Sequence, residues 1–133
     1  MSEPVLDGSP QTNIFGEHVY YPVVTFGAGT VSTIAGTNQI TVTRPSATTL
    51  LLTFPKTYAS VTRFKVGRKA AAAVAGLEWI ITTDAIATTG LVTLTSIESD
   101  TGTATAPASG DVAFIEIGAS CDVLNDRFTS STA

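Results

Sequence analysis

The chain of 133 residues holds one histidine, one cysteine, one methionine and one tryptophan. Each scarcity closes off a chemistry. A single cysteine, Cys121, forms no intrachain disulfide; the expectation is a buried or inert thiol, with an intermolecular disulfide or a reactive thiol as the alternative. A single histidine, His18, excludes a zinc site built from several His, and Cys121 alone makes no Cys cluster. No apolar run approaches the ~20 residues that a membrane helix needs. Met1 to Pro10 has neither a basic region nor an apolar run. The expectation is therefore a chain without a secretion signal. It would be made in a cytoplasm and work there, or leave by lysis or inside an assembly.

Acidic residues are missing from one long stretch. Between Glu17 and Glu78 there are none, while Arg44, Lys56, Arg63, Lys65, Arg68 and Lys69 fall inside it. Before it stand Glu3, Asp7 and Glu17; from Glu78 onward eight carboxylates face only Arg127, and the net charge is −4. Paired strands that bring opposite charges together account for this simply. A dipolar surface that docks on a complementary partner, or on copies of the chain, is the sharper reading.

What the chain has in excess is threonine, twenty-three of them. Threonine is stiff at χ1 and suits a pleated, half-wet surface. The length fits one domain, able to bury roughly two-thirds of its unfolded surface. From Tyr21 the sequence reads as short alternating segments closed by turn residues. These are Val23 to Phe26, Thr30 to Ile34, Gln39 to Arg44 ended by Pro45, and Thr49 to Phe54 ended by Pro55. Ser60 to Val66 follows, stopped by Gly67, then Leu77 to Thr83, Leu91 to Ile97 and Asp111 to Gly118. About eight short strands at this spacing predict an all-β, single-domain β-sandwich or jelly-roll-like barrel.

Pro4, Gly8, Pro10 and Asn13 break regular structure near the start, so residues 1–20 read as an extended N-terminal arm with Ile14, Phe15, Val19 and Tyr20 as apolar anchors. The β domain spans residues 21–126 and a flexible tail 127–133. Arg68 to Gly76 is Ala-rich and has the best helix propensity in the chain, but it is short; a loop in a long hairpin is favoured over a turn of helix. Ser99 to Gly110 reads as a surface loop.

Chemical constellations are weak. A Ser-His-Asp triad would require His18 to fold back from the arm; an inter-subunit contact or a solvated residue fits it better. Glu98 with Asp100, and Glu78 with Asp84, flank strand ends and show no cleft of the kind a glycosidase needs. Asp100-Thr101-Gly102-Thr103 lacks the dense oxygen ligands of a calcium loop. Gly27-Ala28-Gly29-Thr30 has no P-loop lysine and reads as a turn. Arg63-Phe64-Lys65 with Arg68 and Lys69 interleaves cations and an aromatic as single-strand nucleic-acid binders do. Alternation sends Phe64 to the face opposite Arg63 and Lys65, and the chain is acidic, so no nucleic acid is expected. Trp79, Tyr58, Tyr20 and Tyr21 read as core or interface anchors before sugar platforms. No catalytic residue, cofactor or metal is expected.

Some strands are apolar on both faces. Val112 and Phe114 point one way and Ile115 and Ile117 the other; Ile80 opposes Trp79 and Ile81. Such strands must be covered twice, by a second layer or by another chain.

The order of Gly29-Thr30-Val31, Ile40-Thr41-Val42-Thr43-Arg44, Thr49-Leu50-Leu51-Leu52-Thr53-Phe54, Tyr58 and Pro107-Ala108-Ser109-Gly110-Asp111-Val112-Ala113-Phe114-Ile115 resembles small β-rich capsid decoration (cement) proteins of tailed bacteriophages, over roughly residues 22–118. The resemblance implies a sandwich or jelly-roll domain, often a homotrimer, seated on the major capsid protein of a virion. No functional residue carries over individually. On this expectation Ile14, Phe15, Val19 and Tyr20 supply apolar docking, and Arg63, Lys65, Arg68 and Lys69 pair with acidic partner surface. The alternative is a tail-fibre or adhesin-type β module that binds glycan or another virion protein, with Trp79 as its exposed platform.

Overall fold

Alternation of small β-formers with apolar residues builds ten strands in the computed structural model, which describes residues 11–12, 16–37, 39–71 and 76–121. They are β1 (Gln11–Thr12), β2 (Glu17–Tyr20), β3 (Val23–Phe26), β4 (Ser32–Ala35), β5 (Thr41–Ser46), β6 (Thr49–Thr53), β7 (Ser60–Lys69), β8 (Leu77–Ala85), β9 (Leu91–Glu98) and β10 (Val112–Ser120). A six-stranded sheet runs β1-β2-β10-β3-β4, with β7 on the other edge of β10; a four-stranded sheet runs β5-β6-β9-β8. All pairings are antiparallel. The chain is an all-β, sandwich-like domain. Among the described residues no helix is long and apolar enough to cross a membrane.

The core lies between the sheets. Leu50, Leu52, Val92 and Leu94 from the four-stranded sheet meet Val24, Phe26, Ala113, Ile115 and Ile117 from the six-stranded one, all buried. Trp79 stacks on Phe26 at 5.3 Å between centroids and 12° between planes. On the opposite face of the four-stranded sheet, Thr41, Thr43, Thr49, Thr53, Thr93 and Thr95 alternate with those buried residues. This is the threonine wealth of the sequence in place: branched, half-wet and cross-linked in part, as where the Thr82 and Thr95 hydroxyls meet at 2.8 Å.

Four expectations change. Glu17–Tyr20, assigned to the arm, is a strand of the large sheet, pairing with Ile117–Ser120 of β10. Residues 17 to 26 behave as one long strand broken at Tyr21-Pro22. Pro22 has no N–H to give, yet its carbonyl accepts from the Ile115 N–H at 2.9 Å. β5 runs through Pro45 to Ser46 because it is an edge strand, where a missing donor is tolerated. β7 runs through Gly67 to Lys69 because β10 pairs with it along its whole length. Cys121, expected to be buried or inert, is exposed. Residues 72–75 and the tail 127–133 lie outside the described residues.

Leu94 is fully buried at the centre of this core. Leu94→Ala should destabilise the domain by about 2–5 kcal/mol through lost burial and a residual cavity, read as a lower urea midpoint at unchanged slope.

Candidate contact surface

The outward face of the six-stranded sheet is written by the register of β10. Its outward residues Val112, Phe114, Glu116 and Gly118 stand opposite Lys69, Gly67, Lys65 and Arg63 of β7. On the other edge, Phe114 stands opposite Val23 of β3. Gly67 offers no side chain beside Phe114, so the ring is left 49% exposed; Tyr21 nearby is 43% exposed. Together with Val23 they line a groove of about 310 Å³, bordered by Lys65 and Glu116. Lys65 and Lys69 make no ion pair among the described residues.

One end of this face is tied down. The Glu17 carboxylate crosses β10 to reach β7: its Oε1 accepts from Arg63 Nη2 at 3.1 Å and its Oε2 accepts from the Thr62 hydroxyl. Arg63 Nη1 also reaches Glu116 Oε2 at 3.4 Å. Glu17 acts first in holding the Arg63 pKa above the usual guanidinium value. Gly118 is the reason the crossing is possible. A Cβ there would sit 2.7 Å from Glu17 Oε2 and 3.1 Å from its Cδ.

The other end is closed by Asp111, which is 1% exposed. Its Oδ2 accepts from Arg68 Nη2 at 2.9 Å and from the Ala108 N–H at 3.2 Å, and its Oδ1 accepts from the Ala71 N–H at 2.8 Å. Burial alone would push the Asp111 pKa up. The Ala71 N–H, the Arg68 guanidinium and the Ala108 N–H outweigh it and hold the carboxyl below its ordinary value.

Two further polar groups sit against the core. Arg44, nearly buried, donates to the carbonyls of Gly27 at 3.1 Å, Val31 at 2.7 Å and Ala47 at 3.0 Å, and lies 4.9 Å from the Phe26 centroid. It fastens the β3–β4 turn to β5, and burial lowers its pKa. His18 Nδ1 meets the Tyr58 hydroxyl at 3.0 Å, and that hydroxyl meets Tyr20 at 2.5 Å. Burial first, then Lys56, lower the His18 pKa, and the neutral ring can accept from Tyr58 at Nδ1. Burial raises both tyrosine pKa values. Lys56 lies over the Tyr58 ring at 5.3 Å, beside Cys121. Among the described residues no group of three His, Cys, Asp or Glu is placed to hold a metal ion.

The residues expected to carry docking divide. Arg63, Lys65 and Lys69 share the outward face. Arg68 does not: it follows Phe64 and Val66 toward the interior and is spent on Asp111, with its side chain 16% exposed. Tyr20 is buried in the core and Val19 is buried opposite Gly118, both on a paired strand and not on an arm. Ile14 and Phe15 lie outside the described residues. Trp79, the platform of the glycan alternative, is enclosed against Phe26. Tyr21, read from the sequence as a core or interface anchor, lies at this surface; the surface residues that sequence reasoning did not assign are Val23, Gly67, Phe114 and Glu116. The one signal for them was the apolar outward face of β10.

Gly118→Ala should cost about 1–3 kcal/mol, since either the Glu17 carboxylate or the β10 backbone must move; a thermal or urea melt reads it, and an unchanged midpoint contradicts the crossing. Asp111→Asn should cost about 3–5 kcal/mol at neutral pH, as for a broken buried pair. With a depressed folded pKa, the stabilisation by Asp111 is complete above the ordinary carboxyl value near ~3.9 and is lost as pH falls through the lower folded value. The variant's deficit should therefore shrink when urea melts are repeated well below that range; an equal deficit at both pH values contradicts the assignment.

Comparison with protein-family models, with curated proteins and with solved structures gave no match.

Proposed function

We propose that the chain is a structural virion protein that binds the outside of a tailed-phage capsid and stabilises it. The observation that carries this reading is the outward face of the six-stranded sheet. It keeps Phe114 and Tyr21 at the surface, with Lys65 and Lys69 free of ion pairs among the described residues. A face that is apolar at its centre and charged at its border is what a docking surface needs: burial supplies affinity and the charges supply register. The resemblance of residues 22–118 to decoration proteins points to the partner, the major capsid protein, together with copies of the chain. The work is mechanical. Many contacts of modest strength, repeated by the symmetry of a shell, hold capsomers against outward pressure. The protein would be made in the host cytoplasm and end on the capsid surface.

The tail-fibre or adhesin alternative keeps one footing, the exposed rings of Tyr21 and Phe114, now that Trp79 is enclosed.

The test uses capsids encoded beside this chain, prepared without it. Added protein should co-sediment with them to a fixed copy number and raise the temperature at which they release DNA. Absence of saturable binding contradicts the proposal, and binding to a glycan array that is lost in Phe114→Ser transfers the surface to the alternative.

A further inference from the structure

We infer that the outward strip of β7 and β10 is a two-fold seam between two copies of this chain, each Phe114 ring seated over the other copy's Gly67. The inference rests on the contact-surface reading above and names the occupant of that face in the free protein, which capsid protein would displace.

The register carries it. Four outward rows cross the two strands: Val112 with Lys69, Phe114 with Gly67, Glu116 with Lys65, and Gly118 with Arg63. A two-fold axis parallel to the strands, lying between them in the plane of contact, sets every β10 residue of one copy against its own register partner on the other. The projecting ring then meets the residue without a side chain. Glu116 meets Lys65, which has no ion pair among the described residues. The Phe114–Gly67 and Glu116–Lys65 rows are complementary to themselves under this operation, as an isologous contact requires. Stacked sheet faces sit about 10 Å apart, which leaves room for one layer of aromatic rings.

The notch is real space. A Cβ at Gly67 would have only Phe114 Cβ within 4 Å, at 3.9 Å. The groove of about 310 Å³ is open beside it. The exposed rows from Val112 to Glu116, with Arg63 beside them, give a strip roughly 20 Å long, and two strands with their flanks are about 15 Å wide. That amounts to roughly 600 Å² over both copies, the class of weak and reversible association.

Sedimentation velocity on the full chain over the micromolar range tests this. The wild type should convert from one copy to two as concentration rises. Gly67→Leu fills the notch, and Phe114→Ser removes the ring; each should abolish the conversion while the thermal midpoint stays near that of the wild type. Lys65→Glu and Glu116→Lys should each stay single-copy alone and pair when mixed, because the mixture restores opposite charge at both Lys65–Glu116 contacts. Should Glu116→Lys fail to fold for loss of its Arg63 contact, the Gly67→Leu result decides. A wild type that stays monomeric, a three-copy species, or a species indifferent to Gly67→Leu and Phe114→Ser overturns the seam. Capsid co-sedimentation separates the two claims: binding without pairing overturns the seam alone, and pairing without binding overturns the decoration reading alone.

Discussion

Strand β10 is the element on which the rest of the molecule depends. Nine register pairs join it to β7 on one edge, and four and three more join it to β2 and β3 on the other. Backbone groups in a sheet interior must be paired or they cost the fold their full desolvation, and β10 meets that demand for three strands at once. Its inward residues, Ala113, Ile115, Ile117 and Ala119, fill the space under the four-stranded sheet. Among the small residues, Ala119 stands opposite His18 and Val61, and Ala113 lies at the end occupied by Phe26 and Trp79. Its outward residues set the surface. One strand thus ties the inside of the protein to its outside through a period of two.

Buried charge closes the two ends of that strand. Asp111 stands immediately before β10 and gathers Arg68, Ala71 and Ala108; Glu17 lies across its far end and gathers Thr62 and Arg63. Each carboxylate is met by a cation and by at least one neutral donor, which is the condition for a buried ion to be tolerated. Arg44 solves the same problem without a carboxylate, using three carbonyls and the face of Phe26. The uneven charge of the sequence is partly explained by these ties. Arg63 and Arg68 from the basic stretch find Glu17, Glu116 and Asp111 outside it.

How far the fold was legible follows from where its information lies. β5 and β6 announce themselves by alternation, because each has a dry face and a wet or half-wet one, and β8 and β10 by apolar residues on both faces. β2 was hidden because Glu17–Tyr20 is short and its partner is about a hundred residues away in β10. Nothing local reports such a pairing. Pro45 and Gly67 are ordinary stop signals, overruled by an edge position in one case and by a full-length neighbour in the other. Arg68 was grouped with Arg63 and Lys65 on composition. Treating Gly67 as part of the strand would have turned Arg68 inward and left Lys69 outward. The contact surface was half legible: the apolar outward face of β10 was visible, but the notch at Gly67 and the neighbouring Tyr21 depend on register that sequence spacing does not supply.

On the proposed function, the two sheets form a mount whose one face, with Phe114 and Tyr21 exposed, is completed by a neighbour. Hydroxyl-radical footprinting read by mass spectrometry tests that claim most directly, on the dilute chain and on the chain in its assembled state. Phe114 and Tyr21 should label strongly when dilute and lose most of that labelling on assembly, with Trp79 and Phe26 unlabelled in both. Equal labelling of Phe114 and Tyr21 before and after assembly, with protection falling instead on the threonine face of the other sheet, would contradict it.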